Sequence, residues 1–231
     1  MSIPESNKRR LLLSTCASAL LVVLLAACGP GAVEEGASFL VYDRDAKTDQ
    51  YRLTEREIDT LQNVRAGRGR IAKLRGGGSI KINASNPSSK SEFEDSLSIE
   101  GSTTPDLDYK VDSGVVTPLD FDTTIMLTLY HHVERAREYF VGIGVDGSRL
   151  GRLPIYYNVT LELIIPVNLL TDNAAYAFTL DAMLIPPRLL LKDIPLAANR
   201  GVIVHEYSHR VFNRLVHDGS RAPEYLAEPW P

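Results

Sequence analysis

The apolar positions of this chain alternate between a period near two and a period near 3.6, and the changes of period mark its elements. Phe39-Leu40-Val41-Tyr42 reads as a short strand. Thr54-Glu55-Arg56-Glu57 forms a capping-box pattern, and Ile58, Leu61 and Val64 then supply the stripe of a short amphipathic helix. Ile80-Lys81-Ile82 alternates like a strand, and the Ser- and acid-rich residues from Asn83 to Thr104 predict an exposed excursion. Asp120 or Asp122 is placed to cap a helix over about Thr123 to Phe140, with Met126, Leu129, Tyr130, Val133, Ala136 and Phe140 on its apolar side. Ile155 to Val159 and Leu161 to Ile165 are β-rich runs, and Asp181 to Ile185 reads as a strand stopped by Pro186 and Pro187. Leu189 to Ala198 leads into a last helix-compatible segment, Gly201 to Asn213.

This order predicts an α+β fold, a mixed sheet packed on a long helix and on the last helix. No internal repeat is visible. The expected organisation is a leader over residues 1–27, a tether and first strand over 28–45, a β-rich N-terminal accessory region over 46–119 and a main domain over 120–231. Between Arg65 and Gly78 the chain carries Arg65, Arg68, Arg70, Lys73 and Arg75 among glycines. A loop for phosphate or lipid headgroups is one reading, but no Gly-Lys-Ser/Thr ending follows, and a solvated loop is expected.

The formal net charge of −4 over 231 residues leaves no basic surplus and argues against a nucleic-acid partner. Lys8-Arg9-Arg10 precede a run from Leu11 to Ala27 interrupted only by Ser14, Thr15 and Ser18, too short for a comfortable membrane span. Leu25-Ala26-Ala27-Cys28 looks like the lipobox of a bacterial lipoprotein, which implies removal of residues 1–27 and lipidation of Cys28. The alternative is an uncleaved membrane anchor. Either way the expectation is a protein of the cell envelope tethered to a membrane. Gly29 after the cysteine resembles the pattern that sorts to the outer membrane rather than keeping the chain at the periplasmic face of the inner one. Removing Glu5, Lys8, Arg9 and Arg10 moves the formal charge from −4 to −6, and with Cys16 discarded and Cys28 lipidated no thiol remains for a disulfide or a nucleophile.

The candidate chemistry lies in His205-Glu206-Tyr207-Ser208-His209. On a helix, residues four apart share a face, so two imidazoles can meet one zinc ion there. Glu206, about 100° around the helix, reaches the space beside the ion, where a carboxylate can take a proton from a zinc-activated water. Asn199 is placed to N-cap this helix and Gly219 to end it, while Val202, Phe212 and Val216 share the histidine face. That face is expected to be a buried stripe, with Arg210, Arg214 and Arg221 on the exposed side or beyond. The alternative is a core helix whose histidines bond to backbone or water. His131, His132 and Glu134 also invite a metal reading, but adjacent histidines point about 100° apart, so surface or supporting roles are expected. His217, about 12 Å along the axis from His209, is too far to share an ion.

With these residues in view, the second half resembles the zinc metallopeptidases of the thermolysin and fungalysin type, the gluzincins. Asn173-Ala174-Ala175-Tyr176 and Asp181-Ala182-Met183-Leu184 are similar to the edge strand that precedes the His-Glu-x-x-His helix in that family. The resemblance covers roughly Asp120 to Asn213. It implies peptide-bond hydrolysis on extended polypeptides, with His205 and His209 binding Zn2+, Glu206 as general base, and Asn173 and Ala174 holding substrate by strand addition. The family's third ligand is a glutamate on a following helix; the candidates are Glu228 and Glu224, with Glu228 at the spacing of one gluzincin branch. Pro229 follows Glu228, no Asp comes after it, and Leu215 stands where the metzincin pattern would need histidine. The chain therefore reads as the front half of such an enzyme, ending just past its zinc helix. The expected activity is that of a membrane-tethered zinc endopeptidase. A catalytically incomplete lipoprotein of the same fold, acting as a binding or scaffold module, is the alternative.

Overall fold

A computed structural model describes residues 37–45, 47–83, 89, 92, 95–161, 174–187 and 195–217. The leader 1–27, Cys28, most of the tether, the strand expected past Leu161, Asn173, Gly219, Arg221, Glu224 and Glu228 lie outside them.

Asp120 starts the longest described helix, α1 (Phe121–Gly142): its Oδ1 accepts from the Thr123 N–H at 2.7 Å. From Thr123 to Glu134 every residue of α1 is buried, far more than an amphipathic stripe requires. Thr123 and Thr128 survive burial because each has partners. Thr123 accepts from Asp108 N–H, Thr128 accepts from Tyr42 N–H, and both threonine hydroxyls donate within their own turn. These bonds fasten the helix to strands on one side, leaving the other for a second helix.

The described strands form three sheets. β1 (Ser38–Arg44) pairs antiparallel with β2 (Tyr51–Glu57) and parallel with β9 (Val115–Pro118), which pairs with β8 (Tyr109–Asp112) in the order β2-β1-β9-β8. The largest sheet runs β12-β13-β10-β5-β4-β3, built from β3 (Leu61–Asn63), β4 (Arg68–Gly69), β5 (Ala72–Gly76), β10 (Leu153–Tyr157), β12 (Ala175–Ala177) and β13 (Ala182–Ile185). Its centre is parallel, β10 lying between β5 and β13, while β12 closes one edge antiparallel to β13. The third sheet, β11-β6-β7, joins β6 (Ser79–Ile82) to β7 (Leu97–Glu100) and β11 (Thr160–Leu161) and covers a second small core around Ile80, Val159, Ala182 and Leu184. A four-residue helix α2 (Gly147–Leu150), a 3₁₀ turn (Leu196–Ala198) and helix α3 (Arg200–Val216) complete the described elements. The fold is α+β with mixed sheets, as the order of periods predicts.

Two expectations in the first half fail. The helix expected from Thr54 is strand β2 followed by a turn into β3. The N–H groups of Asp59 and Thr60 donate to the buried Glu134 carboxylate at 3.2 and 2.8 Å, and Tyr51 to Glu57 are fully committed to β1. Ile58, Leu61 and Val64 are buried as their spacing suggests, but on extended and turning chain. The solvated loop expected over Arg65 to Gly78 contains β4 and the central strand β5, with Ala72 and Leu74 both 0 % exposed. Gly69 has no alternative there, because a Cβ would collide with the Tyr130 hydroxyl and the Thr60 carbonyl. Tyr130 itself is buried, which pushes its phenol up to about 12. The β5–β10 pairing carries hydrogen bonds between the stretches expected as accessory region and main domain, across the 119/120 boundary, and the β1–β9 pairing joins the expected first strand to the accessory region. Among the described residues no helix is long and apolar enough to cross a membrane.

Candidate metal centre

Asn199 begins α3, as its side chain predicts: Oδ1 accepts from Gly201 N–H at 2.9 Å and Val202 N–H at 3.3 Å. Just before it, the Ala198 carbonyl accepts from His132 Nε2 at 3.1 Å, so α1 fixes where α3 starts. His131 and His132 are 3 % and 0 % exposed, which corrects their expected surface position. Burial pushes both imidazoles down to about 4, His131 further by its neighbour's charge and His132 against the opposing pull of the Ala198 hydrogen bond. Both are core groups, and His132 positions the start of α3.

The core face of α3 is Ile203, Tyr207, Arg210, Val211 and Asn213, with Tyr207 stacked on Phe140 of α1. The expected facing of this helix is therefore reversed. The side carrying His205 and His209 is open, the His205 side chain being 67 % exposed, and Phe212 and Val216 beside it are half exposed. Arg210, expected outside, is 0 % exposed. Helical arithmetic also puts 203, 207, 210 and 211 on one stripe; the apolar Val202, Phe212 and Val216 beside the histidines and the charge on Arg210 argue for the other.

Arg210 is tolerated in the core because Asp181 meets it. Arg210 Nε donates to Asp181 Oδ1 at 3.1 Å, Arg214 donates to Oδ2, and the Tyr176 hydroxyl donates to Oδ1 at 2.6 Å. Burial pushes the Asp181 carboxyl up, but the hydrogen bonds from Arg210 and Arg214 outweigh it and hold the group below the usual carboxylate range. Burial, then the bond to Asp181, push the Tyr176 phenol well above its ordinary value. Asn213 Nδ2 donates to the same phenol oxygen at 3.2 Å. The β12–β13 hairpin is thereby clamped onto α3. Nothing in the local sequence announces this network, since Asp181 and Arg210 are 29 residues apart.

Tyr176 carries the clamp to the motif. Its backbone N–H donates to Glu206 Oε2 at 2.8 Å, which leaves Oε1 turned toward the histidines, 3.9 Å from His205 Nε2. His205 Nε2 and His209 Nε2 stand 3.2 Å apart, with ring planes at 89°. Two nitrogens bound tetrahedrally to zinc at 2.0–2.1 Å would be about 3.3 Å apart, so the pair fits one such ion. The ligand atoms of His205, Glu206 and His209 all lie within 4.8 Å of one another. Phe178 sets its edge against the His209 ring at 6.0 Å. Among the described residues no fourth His, Cys, Asp or Glu joins this group. Ala174, expected to hold substrate, is buried immediately before edge strand β12.

The sequence signal that finds this centre is the His-Glu-x-x-His spacing; the signal for its support, Tyr176, Asp181 and Arg210, emerges only from the pairing of α3 with β12. No protein-family model and no curated protein matches this chain.

Proposed function

We propose that this protein is a zinc metalloendopeptidase of the gluzincin type, tethered to the cell envelope through a lipid on Cys28 and acting on extended polypeptides. The observation that carries the proposal is the pair of Nε2 atoms 3.2 Å apart on one open helix face, with a carboxylate oxygen beside them. His205 and His209 would hold Zn2+, with Glu228 completing the protein ligands. When bound, zinc polarises a carbonyl and lowers the pKa of a coordinated water to roughly 7. Glu206 Oε1 faces this space and serves as the general base, taking the proton of the attacking water and returning it to the leaving amine. The Tyr176 N–H holds the other oxygen, so the base enters the reaction already oriented. Edge strand β12 offers the backbone along which a substrate strand lies, with Asn173 and Ala174 as its contacts.

A binding or scaffold module of the same fold is the second reading. It is favoured by the absence of a further carboxylate beside His205 and His209 among the described residues. One experiment separates the two: zinc content and cleavage of an unfolded protein substrate, for the wild-type chain and for Glu206→Gln. A peptidase keeps its zinc in Glu206→Gln and loses about 10²–10⁴-fold in cleavage rate. Zinc without Glu206-dependent cleavage supports the scaffold, and a folded chain that takes up no zinc removes the peptidase.

A further inference from the structure

The basic residues between Arg65 and Gly78 belong to a sheet face rather than a loop. β5 turns Ala72 and Leu74 into the core, so Lys73 and Arg75 stand on its opposite face. Antiparallel β4 sets Arg68 directly across from Lys73, and Arg152 immediately precedes Leu153, the partner of Ala72 on β10. The charge of Arg75, then partial burial, then the charges of Arg68 and Arg152 hold the Lys73 ammonium below the usual lysine range. Among the described residues none of these four cations is paired with a carboxylate; Arg75 donates to the Thr104 hydroxyl at 3.3 Å. Like charges opposite one another weaken a strand pair, and a chain of net charge −4 has no basic surplus to scatter. The cluster is a local cost that an anionic partner would relieve.

We propose that this face docks on an anionic phospholipid surface, with Arg68, Lys73, Arg75 and Arg152 contacting the headgroups. The cations stand on one sheet face rather than around a cavity, which suits an extended charged surface. A single-stranded nucleic acid would need open aromatic rings to stack on, and the ring opposite Arg75, Tyr156, packs against the second core instead. Position also favours the membrane. Only residues 29–36 separate Cys28 from the first described residue, a reach of at most about 30 Å. A body so tethered stays within a few Debye lengths of the headgroups, each about 8 Å at physiological ionic strength. This proximity rests on the lipid-anchor reading; the charge pattern does not.

The test uses the full chain with vesicles of phosphatidylcholine alone or mixed with phosphatidylglycerol. Sedimentation and acylation of Lys73 are read, with Lys110, 57 % exposed on β8, as internal reference. The mixed vesicles should shield Lys73 relative to Lys110, neutral vesicles should not, and high salt should abolish the difference. Arg68→Gln/Lys73→Gln/Arg152→Gln should weaken the dependence on phosphatidylglycerol about fivefold per cation removed. Its urea midpoint should equal or exceed the wild type's, because the repulsion is gone. Equal Lys73 shielding on both vesicles, or an unchanged response of the triple variant, overturns the proposal. So does tighter binding to duplex DNA than to mixed vesicles at the same salt. A chain that sediments with mixed vesicles alone supports the charged face while contradicting the anchor.

Discussion

Asp181→Asn should cost about 3–5 kcal/mol of stability, which for a domain of this size lowers the melting temperature by roughly 10 °C. Asparagine keeps the side-chain volume and tolerates the left-handed backbone at this position, where φ is 42°. What it removes is the counter-charge of Arg210, a guanidinium with no exposed surface. The remaining polar neighbours, the Tyr176 hydroxyl and Asn213, cannot neutralise a cation. Arg214 is 31 % exposed and falls back on water, so the loss concentrates on Arg210. Arg210→Met added to Asp181→Asn should recover most of the melting temperature, since an apolar chain of similar length needs no partner. A single variant melting within about 2 °C of wild type, or a double variant no better than the single, would contradict this description of the core.

Acid should unfold the protein through His131 and His132. Each is pushed to about 4 in the fold against an ordinary value of 6.5. Between those values the unfolded chain binds a proton at each ring and the folded chain does not. Their contribution is therefore fully present above pH 6.5 and is lost as pH falls toward 4, by about 3 kcal/mol per ring over the window. Asp43, buried near both rings, is held below the carboxylate range: burial raises it, and Arg56 more than offsets that, so it stays charged through most of the window. Urea unfolding at closely spaced pH values should show stability falling through this range. His131→Gln/His132→Gln should flatten the fall while leaving His132's link to the Ala198 carbonyl replaceable by an amide. An undiminished slope in the double variant would assign the acid sensitivity elsewhere.

Much of this is legible in the sequence. Helix α1 announced itself because its apolar period is long and Asp120 is a strong cap; α3 did so through Asn199 and the motif. β1, β6, β10 and β13 are short β-rich runs with clear stops. The misreadings share one cause, that local pattern was overruled by distant partners. Thr54 to Glu57 has the letters of a capping box, yet β1 claims its backbone and Glu134 the N–H groups of Asp59 and Thr60. Lys73 and Arg75 disguised β5, because a central strand with one open face alternates charge with Ala and Leu instead of displaying an apolar run. The charge of Arg210 and the adjacency of His131 and His132 argue in the sequence for exposed positions, yet all three are buried, Arg210 against Asp181 and His132 against the Ala198 carbonyl. At the candidate centre the spacing of His205, Glu206 and His209 was readable from helix geometry. That Tyr176 holds Glu206 was not, because a backbone N–H leaves no mark in the sequence.

The most direct measurement is zinc K-edge absorption on the purified full chain, with zinc content determined alongside. The predicted result is stoichiometric zinc with two imidazole nitrogens at about 2.0–2.1 Å, lost in His209→Ala without loss of fold. A folded wild-type chain that takes up no zinc, or a zinc signal that His209→Ala leaves unchanged, would contradict it.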